Sequence, residues 1–306
     1  MSNIIDYVSW RGDLDFTASP FNEVDSLILT QLVYLDFRGI VPGIHSRSSV
    51  TLEKAAEEYF AGHSNQTEES GGQLLKDCRM VLKAVMGTER FKNCRLSRYI
   101  EDISEEKEYQ FSAVKIVPED GSIYISFSGT DSSLAGWKEN FNMSYLARTP
   151  GQERAVQYVQ KVLETGRKPV CLGGHSKGGN LAVYAAIKGG KHIQNRLRAV
   201  YNFDGPGFNE DMVKQEEYQN ILPKLHTLIP QSSVIGMLLE HEEDYTVVES
   251  TEKGLLQHRA LSWKVMGSHF VYSKGLSQSS IFWNETLKQW ILSLIHISEP
   301  TRPRLI

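Results

Sequence analysis

The segment VCLGGHSKGGNLAVYAA, residues 170–186, places a serine between glycines where an apolar run meets a helix-like run. Gly174 and Gly178 lack the Cβ atoms that would clash where a strand and a helix meet so closely. A strand, a tight turn carrying G-x-S-x-G, and a helix form the arrangement that exposes a nucleophilic serine. The segment therefore predicts that Ser176 is a nucleophile on a fold whose strands run directly into helices. The alternative is a phosphate-binding or purely structural turn.

From about residue 108, strand-like and helix-like segments alternate. The first two strand-like segments are separated by PEDG, which predicts a hairpin. The strand-like segments are FSAVKIV, SIYISFSG, KPVCLGG, LRAVYNF, KLHTLIP, DYTVVES and ALSWKV, and the helix-like ones are ENFNMSYL, GQERAVQYVQKVLETG, NLAVYAAIKGG and SIFWNETLKQWI. This alternation predicts a mostly parallel sheet with helices on both faces. In such sheets the reactive groups collect at the carboxyl ends of the strands.

The first third of the chain has a different pattern. Three segments there have helical spacing or helix caps, namely FNEVDSLILTQLVYLDF, SSVTLEKAAEEYFAG and GGQLLKDCRMVLKAVMGTERF. We therefore divide the chain into a helical N-terminal region or cap (residues 1–105) and an α/β core (residues 106–291).

The last fifteen residues, 292–306, do not resemble the rest of the chain. The stretch LSLIHISEPTR resembles one reading frame through an adaptor used to prepare sequencing libraries. We expect a non-native tail that follows a truncated gene, and we exclude it from the fold argument. The alternative is a genuine but unusual C-terminus.

Composition excludes several classes of function. The net charge of −4 gives no basic field for nucleic acid or anionic membrane. The N-terminus lacks the pattern of a signal peptide, and no apolar stretch is long enough to span a bilayer. The three cysteines (Cys78, Cys94 and Cys171) fit no metal pattern, so we expect reduced thiols in a cytoplasmic protein without stable membrane insertion. The chain carries neither a phosphate loop nor HExxH, and we expect no cofactor.

Two segments resemble a known superfamily. GGHSKGGNLA is similar to the GHSxGGxLA elbow of lipases and esterases of the α/β-hydrolase superfamily, and FSGTDSSLAGW (127–137) resembles a class 3 lipase segment that carries part of the oxyanion hole. WRGDLDF and PFNEVDSLILTQLVYLDF resemble an uncharacterised bacterial family of lipase-like hydrolases. The resemblance implies an α/β-hydrolase fold and a serine hydrolase. Lys177 departs from it, because lipases usually carry leucine or glutamine there.

The base that activates such a serine is usually a histidine oriented by a carboxylate, in the chain order serine, acid, histidine. We predict His258, which follows DYTVVES and precedes ALSWKV late in the sheet. Class 3 lipases similarly place the catalytic histidine a few residues before an aromatic, here Trp263. His269 is the runner-up. His192 lies near the end of the elbow helix. His226, early within a strand, is expected to be packed and hydrogen-bonded, and His241, in a charged stretch, is expected to be solvated.

The choice of the carboxylate that orients this histidine is less direct. Class 3 lipases carry an aspartate after the next strand, but LIPQSSVIG has Ser232 and Ser233 there. Asp204 ends the strand RAVYNF and precedes Gly-Pro, which resembles the acid of pancreatic-type lipases. We predict Asp204, with a turn-forming Asp-Gly as its other interpretation. Asp244 and Glu240 are alternatives.

An oxyanion hole needs two donors aimed at the tetrahedral oxygen. We predict the backbone N–H of Lys177 and a donor at Thr130, whose other interpretation is a turn residue. The predicted reaction is cleavage of a small-molecule or lipid-like acyl ester through a covalent acyl-enzyme. The segment SSVIGMLLEHEED is either a lid or one wall of the acyl pocket, or a core helix with a solvated end. The alternatives are a non-catalytic binding protein with this fold, and an acyltransferase or thioesterase that uses the same triad.

Overall fold

The computed structural model describes residues 2–63, 72–104, 109–129, 148–278, 280–282 and 286. Among these residues, eight strands form one sheet in which the spatial order equals the order along the chain. The strands are β1 (Val50–Thr51), β2 (Arg95–Ser104), β3 (Tyr109–Val117), β4 (Ile123–Phe127), β5 (Val170–His175), β6 (Leu197–Phe203), β7 (Leu225–Pro230) and β8 (Tyr245–Val248). Two further short strands, β9 (Val265–Met266) and β10 (His269–Phe270), pair with each other.

The described chain also contains α-helices and short 3₁₀ segments. The helices are α1 (Ile4–Arg11), α2 (Glu23–Leu32), α3 (Leu52–Gly62), α4 (Gln73–Val85), α5 (Pro150–Val162), α6 (Lys177–Lys188), α7 (Lys191–Arg196), α8 (Glu210–Val213) and α9 (Glu216–Gln219), with short 3₁₀ segments at Leu222–Lys224, Ile235–Met237, Gly254–His258 and Ala260–Ser262. Side-chain caps fix several starts: Asn22 and Thr149 each form a capping box with the residue three positions on. Thr51 caps α3 as its sequence predicts.

The sheet changes character at β4. Strands β1 to β4 are antiparallel neighbours, whereas β4 to β8 are parallel neighbours. Parallel strands in sequential order need crossover connections, and right-handed crossovers between successive neighbours all fall on the same face of the sheet. The other face of the parallel half therefore has to be covered by a different part of the chain.

The buried side chains confirm this division. Alternate residues of one strand face opposite layers: Cys171 packs with the N-terminal helices, and Leu172 packs with α5 and α6. Helix α2 is buried from Val24 to Leu32 because it packs against the centre of the sheet. The N-terminal helices thus form the second covering layer of the same sheet.

The predicted mixed α/β architecture with helices on both faces is confirmed, and the PEDG hairpin is the β3–β4 pair. Two details of the prediction are wrong. The segment taken as wholly helical also contains β1 and β2, which join the sheet, and β2 carries a bulge beside Arg98, whose φ is +58°. ALSWKV forms a 3₁₀ turn and only then β9, because its buried residues pack beside Phe203 rather than on a sheet edge.

Some predictions fall outside the described residues or stay open. ENFNMSYL and most of SIFWNETLKQWI lie outside the described part of the chain. The division at residue 105 and the tail at 292–306 stay predictions. None of the helices in the described ranges has the length and apolar character needed to cross a bilayer.

Candidate active site

Ser176 occupies a sharp turn between β5 and α6. Its backbone has φ +59° and ψ −132°, a conformation that is strained for a residue with a side chain. The turn is fixed on both sides, because the Ser176 N–H donates to the Phe203 carbonyl (2.9 Å) and the Gly179 N–H donates to the Ser176 carbonyl (2.9 Å). The predicted strand–turn–helix geometry is therefore present, and the serine is 9% exposed.

Both glycines of the G-x-S-x-G pattern are sterically required. A Cβ at Gly174 would overlap the backbone of Gly178, and a Cβ at Gly178 would overlap the Phe127 carbonyl at the end of β4. The start of α6 therefore lies directly against the carboxyl ends of β4 and β5. This close contact brings the segment after β4 to the nucleophile.

Asp204 and His258 form a hydrogen-bonded pair although 54 positions separate them in the chain. His258 Nδ1 donates to Asp204 Oδ2 at 2.6 Å. The Asp204 side chain is almost fully buried (1% exposed), whereas the His258 side chain is 30% exposed. Asp204 directly follows β6, and its N–H donates to the Leu228 carbonyl of β7 at 2.8 Å. The carboxylate is thus held at the strand ends and the imidazole faces outward.

The second oxygen of Asp204 is also bound. Oδ1 accepts hydrogen bonds from Ser233 Oγ (2.5 Å) and from the Gly236 N–H (3.2 Å). A Cβ at Gly236 would overlap this oxygen, so glycine is required there. The core-helix alternative for SSVIGMLLEHEED is wrong, because the segment forms only a short 3₁₀ turn, Ile235–Met237, whose Gly236 N–H binds the carboxylate. The alternative of a lid or a wall of the acyl pocket stays a prediction.

With Nδ1 as the donor to Asp204, Nε2 is the nitrogen of His258 that can accept a proton. Within the described ranges, the hydrogen bonds of His258 go to Asp204 and His175, and none joins Ser176 Oγ. The His258 ring nevertheless lies beside the end of β5, because its centroid is 4.6 Å from that of His175. Catalytic hydrogen bonds are often long or unformed without substrate.

His175 is a functional candidate that the sequence analysis did not identify. Its Nε2 donates to the backbone carbonyl of His258 at 2.8 Å, and the side chain is buried. The Tyr34 hydroxyl lies 3.1 Å from the His175 carbonyl oxygen and 3.4 Å from its Nδ1. Burial, and then the neighbouring His258, lower the pKa of His175 to about 3. The available signal was the histidine inside the G-x-S-x-G stretch, but its partners are distant in sequence.

Of the two predicted oxyanion donors, Lys177 lies within the described residues and Thr130 does not. Lys177 is the first residue of α6, where backbone N–H groups point out of the helix end towards the turn. Its side chain is fully buried and its Nζ donates to the Gln110 carbonyl at 2.7 Å. Thr130 lies outside the described residues. Gly129, which precedes it, lies against the elbow, since a Cβ there would come 3.2 Å from Ser176 Cβ.

The other histidines have different partners. His226 stacks on Tyr201, His192 contacts Arg196, and the runner-up His269 bonds the Phe270 carbonyl. The prediction that His241 is solvated is wrong: its side chain is buried, and its Nδ1 pairs with the buried Glu243 at 3.0 Å. Of the predicted bases, His258 is the one that meets Asp204.

The chain belongs to the Mbeg1-like family, whose model matches residues 85–302. No curated protein sequence matches it. Among solved structures, it is similar to the native Rhizomucor miehei lipase propeptide complex, with 15% identity, a TM-score of 0.40, and coverage of 56% of this chain and 59% of that one. It is also similar to M37 lipase, with 14% identity, a TM-score of 0.42, and coverage of 69% and 68%. The chain thus spans less than two thirds of the Rhizomucor miehei chain.

Proposed function

We propose that this chain is a serine hydrolase that cleaves an acyl ester through a covalent acyl-enzyme. The observation that carries the proposal is the Asp204–His258 hydrogen bond of 2.6 Å beside a serine held at φ +59° in a strand-to-helix turn. A structural serine needs neither a positive φ nor a neighbouring histidine–carboxylate pair. The two features together are typical of an activated nucleophile.

In the proposed mechanism, His258 Nε2 removes the proton from Ser176 Oγ as the oxygen attacks the ester carbonyl. Asp204 stabilises the imidazolium and keeps Nδ1 protonated. The Lys177 N–H and a donor at Thr130 stabilise the oxyanion, each worth about 100- to 1,000-fold in rate. His258 then gives its proton to the leaving alcohol. Water, activated by the same histidine, releases the acid and regenerates Ser176.

We propose a small-molecule or lipid-like acyl substrate, such as a short acyl ester, a lysolipid or an acyl conjugate, and a cytoplasmic location. The net charge of −4 gives no general attraction to anionic partners, which favours a neutral acyl group over a polyanion as the recognised part. An acyl-chain series of p-nitrophenyl esters and matched thioesters measures the preference. Added acceptor alcohol distinguishes hydrolysis from acyl transfer by its product.

The test uses a fluorophosphonate probe, which labels an activated serine without knowledge of the substrate. We expect labelling at Ser176, mapped by mass spectrometry, that is lost in Ser176→Ala and His258→Ala. His269→Ala is the matched control and should be labelled like the wild type. Ester hydrolysis should fall by at least about 1,000-fold in Ser176→Ala. Absence of labelling in the folded wild-type protein, or labelling that persists in Ser176→Ala, contradicts the proposal.

A further inference from the structure

The structure contains a second imidazole that the proposed triad does not use. His175 precedes the nucleophile in the chain, and its ring lies 4.6 Å from that of His258 at an interplanar angle of 33°. Because a carbonyl oxygen only accepts, the 2.8 Å contact between His175 Nε2 and the His258 carbonyl fixes the proton on Nε2. One side chain thus connects the nucleophile's strand to the backbone of the base.

We propose that His175, held by Tyr34, is a positioning residue that sets the separation between Ser176 and His258. This inference rests on the proposed function, because it assigns His175 a role through the base of that reaction. His175 donates to the main chain of His258 rather than to its ring. It therefore leaves both ring nitrogens of the base available for Asp204 and for the serine.

The charge state of His175 suits this role. His175 is 4% exposed, and its burial, together with the adjacent His258, holds its pKa at about 3. It therefore stays neutral across the range in which a histidine base operates. A charged ring 4.6 Å from His258 would oppose the imidazolium that forms during catalysis, whereas a neutral one does not.

Tyr34 ties this imidazole to the segment after β4. Its hydroxyl lies 3.1 Å from the His175 carbonyl oxygen, and a Cβ at Gly129 would overlap the same hydroxyl. His175 and Gly129 are the residues that precede Ser176 and Thr130. Burial raises the pKa of the Tyr34 phenol, so the hydroxyl keeps its proton. The Tyr34 phenol oxygen thus contacts the main chain next to the predicted nucleophile, Ser176, and next to the predicted oxyanion donor, Thr130.

The segment 257–259, which carries His258 and is here called the base loop, has further contacts that do not involve His175. Gln257 Oε1 accepts from the Ser232 N–H at 2.7 Å, and Arg259 pairs with Asp77 of α4. These contacts flank His258 on both sides. We therefore expect the loop to stay folded without the His175 bond, with the imidazole displaced rather than lost.

The decisive comparison is between two amides at position 175. The amide nitrogen of glutamine reaches the place of Nε2, whereas that of asparagine reaches only the place of Nδ1. With a p-nitrophenyl ester, we expect His175→Phe and His175→Asn to lower kcat by ~10- to 100-fold with KM within ~2-fold, because small displacements of a catalytic group have this effect. His175→Gln should recover most of the kcat. Tyr34→Phe should lower kcat by a few-fold.

A purely structural role predicts a different result. It would lower the melting temperature and the amount of folded enzyme, and kcat per labelled serine would be unchanged. Active-site titration with the fluorophosphonate therefore normalises every rate. Equal kcat values for His175→Gln and His175→Asn would overturn the proposal, and this comparison remains available if His175→Phe does not fold.

The two proposals fail in different ways. Wild-type protein without Ser176-dependent turnover contradicts the proposed function. Ser176-dependent turnover that is unaffected by every substitution at position 175 contradicts the positioning role alone.

Discussion

Ser233 donates a 2.5 Å hydrogen bond to Asp204, the carboxylate that orients His258. Ser233 stands in the segment after β7 where the class 3 lipases carry their acid. In this chain the predicted acid, Asp204, directly follows β6, and Ser233 after β7 donates a hydrogen bond to it.

Removing the Ser233 hydroxyl should reduce the ability of Asp204 to orient His258 while leaving the carboxylate in place. A hydrogen bond to a charged group contributes about 1.5–3 kcal/mol, so we expect Ser233→Ala to lower kcat by roughly 10-fold or more. Ester hydrolysis under saturating substrate measures it. Ser232→Ala is the control, because its hydroxyl contacts Ser277 and not Asp204. Equal rates in the two variants would contradict the role of Ser233.

The carboxylate that orients His258 should be transferable from position 204, after β6, to position 233, after β7. Asp204→Asn should lower kcat by about 10,000-fold, as expected when the histidine loses its orienting carboxylate. Adding Ser233→Asp places a carboxylate at the position that donates to Asp204 in the wild type. We expect this second substitution to raise kcat of the Asp204→Asn variant by at least about 10-fold. Ser233→Asn in the same background is the uncharged control. Recovery with asparagine, or none with aspartate, would show that position 233 cannot orient His258.

The N-terminal layer should affect the rate through Arg259. Asp77 of α4 is buried and binds the Arg259 guanidinium through both carboxylate oxygens, one residue after the base. Asp77→Asn should loosen the base loop and lower kcat by about 3- to 10-fold. Glu252→Gln is the control, since Glu252 lies 4.0 Å from the same guanidinium. A kcat within twofold of the wild type in Asp77→Asn would argue against this coupling.

Glu243 should make stability depend on acid pH. Burial alone would raise the pKa of Glu243, but hydrogen bonds from His241, Thr227 and Tyr218 outweigh it and hold the pKa at about 2, below the ordinary 4.5. Its stabilising contribution is therefore present above about pH 4.5 and is lost as the pH falls towards 2. A shift of this size corresponds to a free energy on the order of 3 kcal/mol.

Urea unfolding across pH tests this expectation. The difference in the free energy of unfolding between wild type and Glu243→Gln should be large at pH 6 and should shrink as the pH approaches 2. Glu242→Gln, at an exposed neighbouring position, should differ little from the wild type at any pH. A difference for Glu243→Gln that does not change with pH would indicate a contribution from packing rather than from charge.

The elements of this fold that local chemistry specifies were predictable. The turn at Ser176 follows from two glycines at positions where a Cβ atom would have no room, and the helix starts follow from their capping residues. Asp204 and His258 were predicted from their places after strands and from the resemblance to lipases, and the structure brings the two side chains into hydrogen-bond contact.

Features that depend on distant partners were not predictable. The contact between Tyr34 and His175 spans 141 positions, and neither residue has a local pattern that indicates the other. His241 was predicted to be solvated because its neighbours are acidic, but Thr227 and Tyr218 complete a buried cluster around Glu243. Strand β2 was missed because RLSRYIEDIS mixes charged and apolar residues, and a bulge interrupts its alternation.

The sequential strand order has a consequence for how the chain folds during synthesis. Helix α2 is made early, yet the strands β4, β5 and β6 that cover its apolar surface follow much later. The nascent chain therefore carries an incompletely covered hydrophobic helix until β5 has been translated. We expect the first helices to reach their native positions only when the parallel strands assemble, so that the N-terminal helices and the parallel strands fold in a single step.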